Sequence, residues 1–216
     1  MIFHTQATYI PLDMNIIGRQ ICKGRPREFC TEQALAAALG VFWTKGYEGT
    51  SLTDLTEAMG ITRPSLYAAF GNKEELFRKA LDLYERDKLA YINEALAAPT
   101  SREVAERLLM GGLANLVGET EPRGCLRVIG SMTCGAEATS VRDDLNARRA
   151  SSQAAMIARM EQAKAEGDLP AHTDAQGVSD YLIAILQGLS VQANNGASKE
   201  QLEEVVRTSL TMWPGR

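Results

Sequence analysis

Gly46-Tyr47-Glu48-Gly49-Thr50-Ser51-Leu52-Thr53-Asp54-Leu55-Thr56-Glu57-Ala58-Met59-Gly60-Ile61-Thr62-Arg63-Pro64-Ser65-Leu66-Tyr67-Ala68-Ala69-Phe70-Gly71-Asn72-Lys73-Glu74-Glu75-Leu76 is a run punctuated at helix spacing. Short polar residues that can accept from orphan backbone amides alternate with glycines that can take the left-handed conformation ending a helix. Ser51, with Asp54 three residues on, opens a short helix whose buried stripe is Leu52, Leu55 and Met59, and Gly60 stops it. Thr62 opens the next helix. Pro64 is tolerated in its first turn, where the amides have no intrahelical partner. That helix buries Leu66 and Phe70 and stops at Gly71. Asn72 with Glu75 is a capping-box pattern for a long helix predicted to run to about Leu96.

Upstream, Thr31 reads as an N-cap and Glu32 suits a first turn. Leu35, Ala38, Leu39 and Phe42 form an i, i+3, i+4, i+7 stripe that ends at Gly46. Three short helices therefore occupy Thr31 to Phe70, the last two joined by a turn of about three residues around Gly60. This is helix-turn-helix spacing. The third helix is too short to stand alone, so its Leu66 and Phe70 must be clamped by the other two. Its outward face then carries Arg63, Ser65, Tyr67 and Ala68: hydrogen-bond donors and a small residue, but no acid. That face suits DNA, although a helical hairpin used only for packing would satisfy the same stripe.

The motifs Gly46-Tyr47-Glu48-Gly49-Thr50-Ser51-Leu52, Ala58-Met59-Gly60-Ile61-Thr62 and Ser65 to Leu76 resemble the DNA-binding domain of the tetracycline-repressor (TetR) family. The match runs without a gap over about Thr31 to Leu76 and includes a Leu-Tyr-x-x-Phe-x-x-Lys-x-x-Leu signature. The resemblance implies that the third helix enters the major groove of double-stranded operator DNA. Thr62, Arg63 and Ser65 would then face base edges, and Thr50, Ser51, Tyr67 and Lys73 would hold phosphates. It also implies a homodimer through the last two helices, a small-molecule effector bound among the middle helices, and most often repression.

The flanks add a basic arm. Lys23-Gly24-Arg25-Pro26-Arg27 places three positive charges on an extended backbone, with Arg25 and Arg27 suited to a minor groove or simply to solvent. Residues 1–24 show no sustained period and are expected to form a flexible tail, in which Met14 is an alternative start to Met1. From Asn15 to Lys73 there are seven Lys and Arg against five Asp and Glu, a positive segment in a chain of net charge −4. The longest apolar stretches, Leu108 to Val117 and Tyr181 to Val191, are too short to span a bilayer, and Met1 to Gln20 lacks a secretory pattern. The expected location is cytoplasmic.

Cys22, Cys30, Cys125 and Cys134 have no metal-type spacing, so neither a metal site nor a cofactor is expected. No G-x-S-x-G, Walker loop, dinucleotide fingerprint or H-E-x-x-H occurs, and the two histidines, His4 and His172, lie far apart in sequence. An enzyme is not expected. A helical partner-binding protein whose head no longer reads DNA is the remaining alternative, and salt-dependent DNA affinity separates the two.

From Lys73 onward the chain reads as further helices: Ser101 to Val117, a short one after Pro122-Arg123-Gly124, Val141 to Glu166, Asp174 to Ala193 and Lys199 to Met212. With no period-two alternation, the fold class is all-α, divided into a tail (1–24), a head (25–72) and a body (73–216). In the helix from Asp174, Leu182, Ile185, Leu186 and Leu189 form one apolar face, and Tyr181, Ala184 and Gly188 a second, smaller one. Together with Leu202, Val205, Val206, Leu210 and Trp213, this suits either a dimer interface or two faces used within one subunit. Leu108, Leu109, Met110, Leu113, Leu116, Ile129, Met132, Met156 and Met160, with Cys125, are the candidate walls of an effector pocket, or ordinary core. Cys125 follows Arg123 at a helix start and precedes Arg127. It therefore fits either a reactive thiolate, as in a cysteine-sensing subgroup that Gly124-Cys125-Leu126 resembles, or a small buried hydrophobe. Cys134 would sit roughly 13 Å away along a continuous helix, too far for a disulfide.

Overall fold

The computed structural model describes residues 30–117, 122–133 and 138–215. Within them the chain is all-helical, with ten helices and no strand. The head holds α1 (Thr31–Lys45), α2 (Leu52–Met59) and α3 (Arg63–Phe70). The body holds α4 (Lys73–Lys88), α5 (Ala90–Leu96), α6 (Ser101–Leu116), α7 (Leu126–Thr133), α8 (Thr139–Ala165), α9 (Ala175–Asn194) and α10 (Lys199–Thr211). The expected tail, with Arg25 and Arg27, and Cys134 lie outside the described residues.

Side-chain caps set most of the helix starts. Ser51 accepts from the Asp54 amide and Asn72 from the Glu75 amide, each acid reaching back to the cap amide, and Thr62 accepts from the Ser65 amide. α1 departs from expectation. Its cap is Cys30, with no side-chain bond, because the Ala34 amide already closes on the Cys30 carbonyl at 3.0 Å and draws Thr31 inside the helix. The expected long helix to Leu96 is also two helices. Leu89, at φ −109° and ψ 3°, separates α4 from α5, and the Lys88 carbonyl takes the Asn115 side-chain amide of α6 at 2.7 Å.

Two apolar cores result. One joins α5, α6, α8, α9 and α10 around Leu108, Leu109, Leu113, Met160, Leu182 and Leu189. The other packs Ala38, Phe42, Trp43, Leu55, Leu66 and Phe70 of the head against Leu76, Phe77, Leu81 and Tyr84 of α4, and reaches Leu126 of α7 and Leu145 of α8. The division expected at residue 72 falls inside this second core. Phe77 is its centre, fully buried and edge-on to both Phe42 (centroids 5.0 Å) and Tyr47 (5.1 Å).

Removing that ring should open a cavity between head and body. Phe77→Ala is expected to destabilise the chain by about 3–5 kcal/mol, read as a lower urea midpoint at unchanged slope.

Candidate nucleic-acid interface and ligand cavity

The turn between α2 and α3 is built by Gly60, which takes the left-handed conformation (φ 65°, ψ 32°). Its amide donates to the Glu57 carbonyl at 3.2 Å, and the Ile61 amide to the Thr56 carbonyl at 3.1 Å. This double closure ends α2 sharply and leaves Gly60, Ile61 and Thr62 to swing the chain into α3. Leu66 and Phe70 point into the core, and Arg63, Tyr67, Ala68 and Ala69 point out, Tyr67 being 49 % exposed. Arg63 is held by a residue the sequence reading passed over: its Nη2 donates to Thr53 Oγ1 on α2 at 3.0 Å. The Thr62 and Ser65 hydroxyls lie 3.0 Å apart at the start of the same helix.

The expected phosphate-holding residues separate into two groups. Ser51 is exposed at the start of α2, its hydroxyl engaged with Asp54. Asp54 is also bound by Lys45 at 2.6 Å, and the Lys45 and Ser51 hydrogen bonds hold its carboxyl well below the usual carboxylate range. Tyr67 is on the outer surface, and Lys73 Nζ stands 4.5 Å above the Tyr47 ring, where partial burial lowers its pKa against the opposing pull of Glu48. Thr50 differs. It is 1 % exposed and its hydroxyl donates inward to the Gly46 carbonyl at 2.6 Å, so it closes the turn rather than offering a hydroxyl to solvent.

A cavity of about 360 Å³ lies in the body between α4, α5, α6, α7, α8 and α9. Of the expected wall residues, Cys125 and Met156 line it, as do Leu108 and Leu116. Leu109, Leu113 and Met160 instead fill the core behind it, and Met110 is exposed. Ile129 is half-buried beside Gly124, and the Met132 side chain lies outside the described part. The polar lining was not foreseen: Tyr84, Tyr91, Asn115, Arg127, Asn146, Arg149, Ser152, Gln153 and Gln187 face the space. At one end the Tyr84 hydroxyl donates to Cys125 Sγ at 3.3 Å, and burial together with Cys125 raises the phenol pKa. The arginines beside Cys125 in sequence are engaged elsewhere. Arg123 donates to the Ala197 carbonyl, and Arg127 turns to Ser152 and Glu85.

Residues 34–80 match the model for bacterial regulatory proteins of the tetR family, and residues 107–209 match the tetracyclin repressor-like C-terminal domain. The chain belongs to the tetR family. Its head is a DNA-binding helix-turn-helix and its role is transcription regulation. It is 36 % identical over 195 residues to the HTH-type transcriptional repressor ComR of Escherichia coli K12, covering 89 % of this chain and 92 % of the relative. The repressor BdcR from the same organism is 30 % identical over 189 residues, covering 83 % of this chain and 86 % of BdcR. Among solved structures, a cysteine-substituted form of the TetR-family regulator CifR, complexed with 26-bp double-strand operator DNA, superposes with a TM-score of 0.83. It shares 44 % identity and covers 88 % of this chain and 100 % of that one.

In this tetR-family regulator the head approaches the cavity wall through Trp43. Trp43 of α1 stacks edge-on to Tyr84 (centroids 4.9 Å), and its indole N–H donates to the buried Gly124 carbonyl at 2.9 Å. Gly124 has φ +90°, and a Cβ there would stand 2.7 Å from Ile129 Cδ1 and 3.1 Å from the Ser190 carbonyl, so only glycine fits. The Ser190 hydroxyl in turn accepts the Cys125 amide at 2.7 Å. Trp43→Phe keeps the ring but strands the Gly124 carbonyl. The variant is expected to lose about 1–3 kcal/mol of stability in chemical denaturation.

Proposed function

We propose that the chain is a homodimeric cytoplasmic repressor, without enzymatic activity, released from its operator by a small molecule bound in the body cavity. The observation that carries this reading is the outward face of α3, where Arg63 is pre-positioned by Thr53 and no acid intrudes. A guanidinium held in this way can donate bidentately to a guanine edge. Ser51, Tyr67, Lys73 and the α2 N-terminal amides are the phosphate contacts in this reading, with Thr50 supporting them from inside the turn. ComR and BdcR, both named as repressors, support the direction of regulation.

The dimer is drawn from α9 and α10. Leu182, Leu189, Leu202 and Val206 are spent on the subunit's own core. Ala184 is exposed, Tyr181, Gly188 and Val205 are half-buried, and Met212 is 64 % exposed. Pairing two heads matches two half-sites one helical turn apart. Within the described residues no helix is long and apolar enough to cross a membrane. An effector that prefers the off-DNA spacing of the heads must weaken DNA binding by the same coupling energy.

The test is fluorescence anisotropy with fragments upstream of the chain's own gene and a scrambled control, across a salt series. One fragment is expected to bind tightly, with affinity falling as salt rises because phosphate contacts release counterions. Equal, weak binding to every fragment would remove the upstream operator from the proposal. In a binding-site selection, Arg63→Ala is expected to relax preference at one base pair by about 1–3 kcal/mol. Tyr67→Phe is expected to weaken all sequences alike, and an unchanged selection profile for Arg63→Ala would displace α3 as the reading helix.

A further inference from the structure

We propose that the cavity takes an organic anion with an apolar body, and that Arg127 receives its charge. The inference rests on the reading of this cavity as the effector site. Two guanidiniums, Arg127 and Arg149, line the space, and no Asp or Glu stands among the described residues of its wall. Leu108, Ile183, Leu186 and Met156 supply apolar wall to the same space. A cation would face two positive charges there.

The two arginines are not equivalent. The Arg149 guanidinium is engaged with Asn146 Oδ1 at 2.5 Å. Arg127 is only 8 % exposed, yet both its terminal nitrogens lean on one acceptor, the Ser152 hydroxyl, at 3.3 and 3.4 Å. A guanidinium carries five N–H donors. Its ion-pair partner, Glu85, is 3.5 Å away and shared: Glu85 Oε2 is taken by Arg148 at 2.8 Å, and the oxygen nearer Arg127, Oε1, makes no hydrogen bond. A buried charge this loosely paired is costly, and a carboxylate or sulfonate reaching it from the cavity side would complete its donor set bidentately.

The position of Arg127 also gives the anion a consequence. It lies in the wall between this cavity and a second, more polar one lined by Glu85, Arg148 and Ser151. An anion in the first space competes with Glu85 for Arg127. Glu85 belongs to α4, whose buried face holds the head core. Ligand charge is thereby transmitted to the helix on which α1 and α3 rest.

The test is calorimetric titration of the full chain with 1-naphthoate and with its neutral isostere 1-naphthamide. The acid is expected to bind at least about tenfold more tightly than the amide, as a charge-assisted contact requires. Arg127→Met combined with Glu85→Gln removes both charges of the pair, so that no carboxylate is stranded, and is expected to erase that preference. Arg127→Lys, which keeps a cation, should retain part of it, and a thermal melt of each variant verifies folding. Equal affinity for acid and amide, or no binding of the acid at millimolar concentration, would overturn the proposal. So would an undiminished preference in the double variant. Met156→Trp, which fills the cavity, separates the two readings. If it abolishes both titrations while acid and amide bind equally, the cavity stands as a ligand site and only the anion falls. If it changes neither titration, the probes bind elsewhere and both readings fall.

Discussion

Phe42 and Trp43 leave α1 side by side and bury themselves against Phe77 and Tyr84 of α4, and the placement of the head follows from this contact. Three helices of 15, 8 and 8 residues cannot enclose a core of their own, so α4 supplies the missing wall. The edge-to-face arrangement adds directionality, because the positive rim of one ring meets the negative face of the next, at about 0.5–1.5 kcal/mol per pair beyond area burial. Lys79 of α4 then donates to the Phe70 carbonyl at 2.8 Å, which fixes the end of α3 to the same helix. α3 has no independent position: wherever α4 goes, α3 goes with it.

What could be read from the sequence was whatever neighbours in the chain decide. Ser51, Thr62 and Asn72 cap their helices through residues three positions on, and these bonds are present. Leu55, Met59, Leu66 and Phe70 face inward as their spacing requires. What could not be read was decided at long range. The stop at Leu89 carries no glycine or proline, and the carbonyl it frees is taken by Asn115, 27 residues on. Periodicity likewise distinguishes buried from exposed, but not core from cavity. Leu108 and Leu109 are both fully buried and adjacent, yet only Leu108 faces the space. The polar wall was hidden for a related reason. Asn146, Arg149 and Gln153 repeat at 3- and 4-residue intervals along α8, which in a sequence looks like a stripe meant for water.

The junction beside the cavity is short in space and long in sequence. Trp43, Tyr84, Gly124, Cys125 and Ser190 lie on four separate helices or their flanks, and each touches the next through a ring face or a single hydrogen bond. Such a cluster couples a shift in any one member to the positions of its neighbours. Tyr84 and Cys125 both line the cavity and pack in or against the head core. The cavity and the head are therefore in direct contact through these side chains.

The same shared core sets the terms on which this head could be recombined with another body. A chimaera joined after Phe70 would expose apolar interior of the head, since its complementary surface includes α4, Leu126 and Leu145. A workable breakpoint lies beyond Tyr84, and the recipient must still bring a glycine carbonyl to meet the Trp43 indole. By contrast, Tyr67, Ala68 and Ala69 on the exposed side of α3 lie outside that core, and Arg63 beside them is held by Thr53 of α2. Substitutions on that outer side leave the shared core intact, whereas the pairing of a given head with a given body must be inherited as a unit.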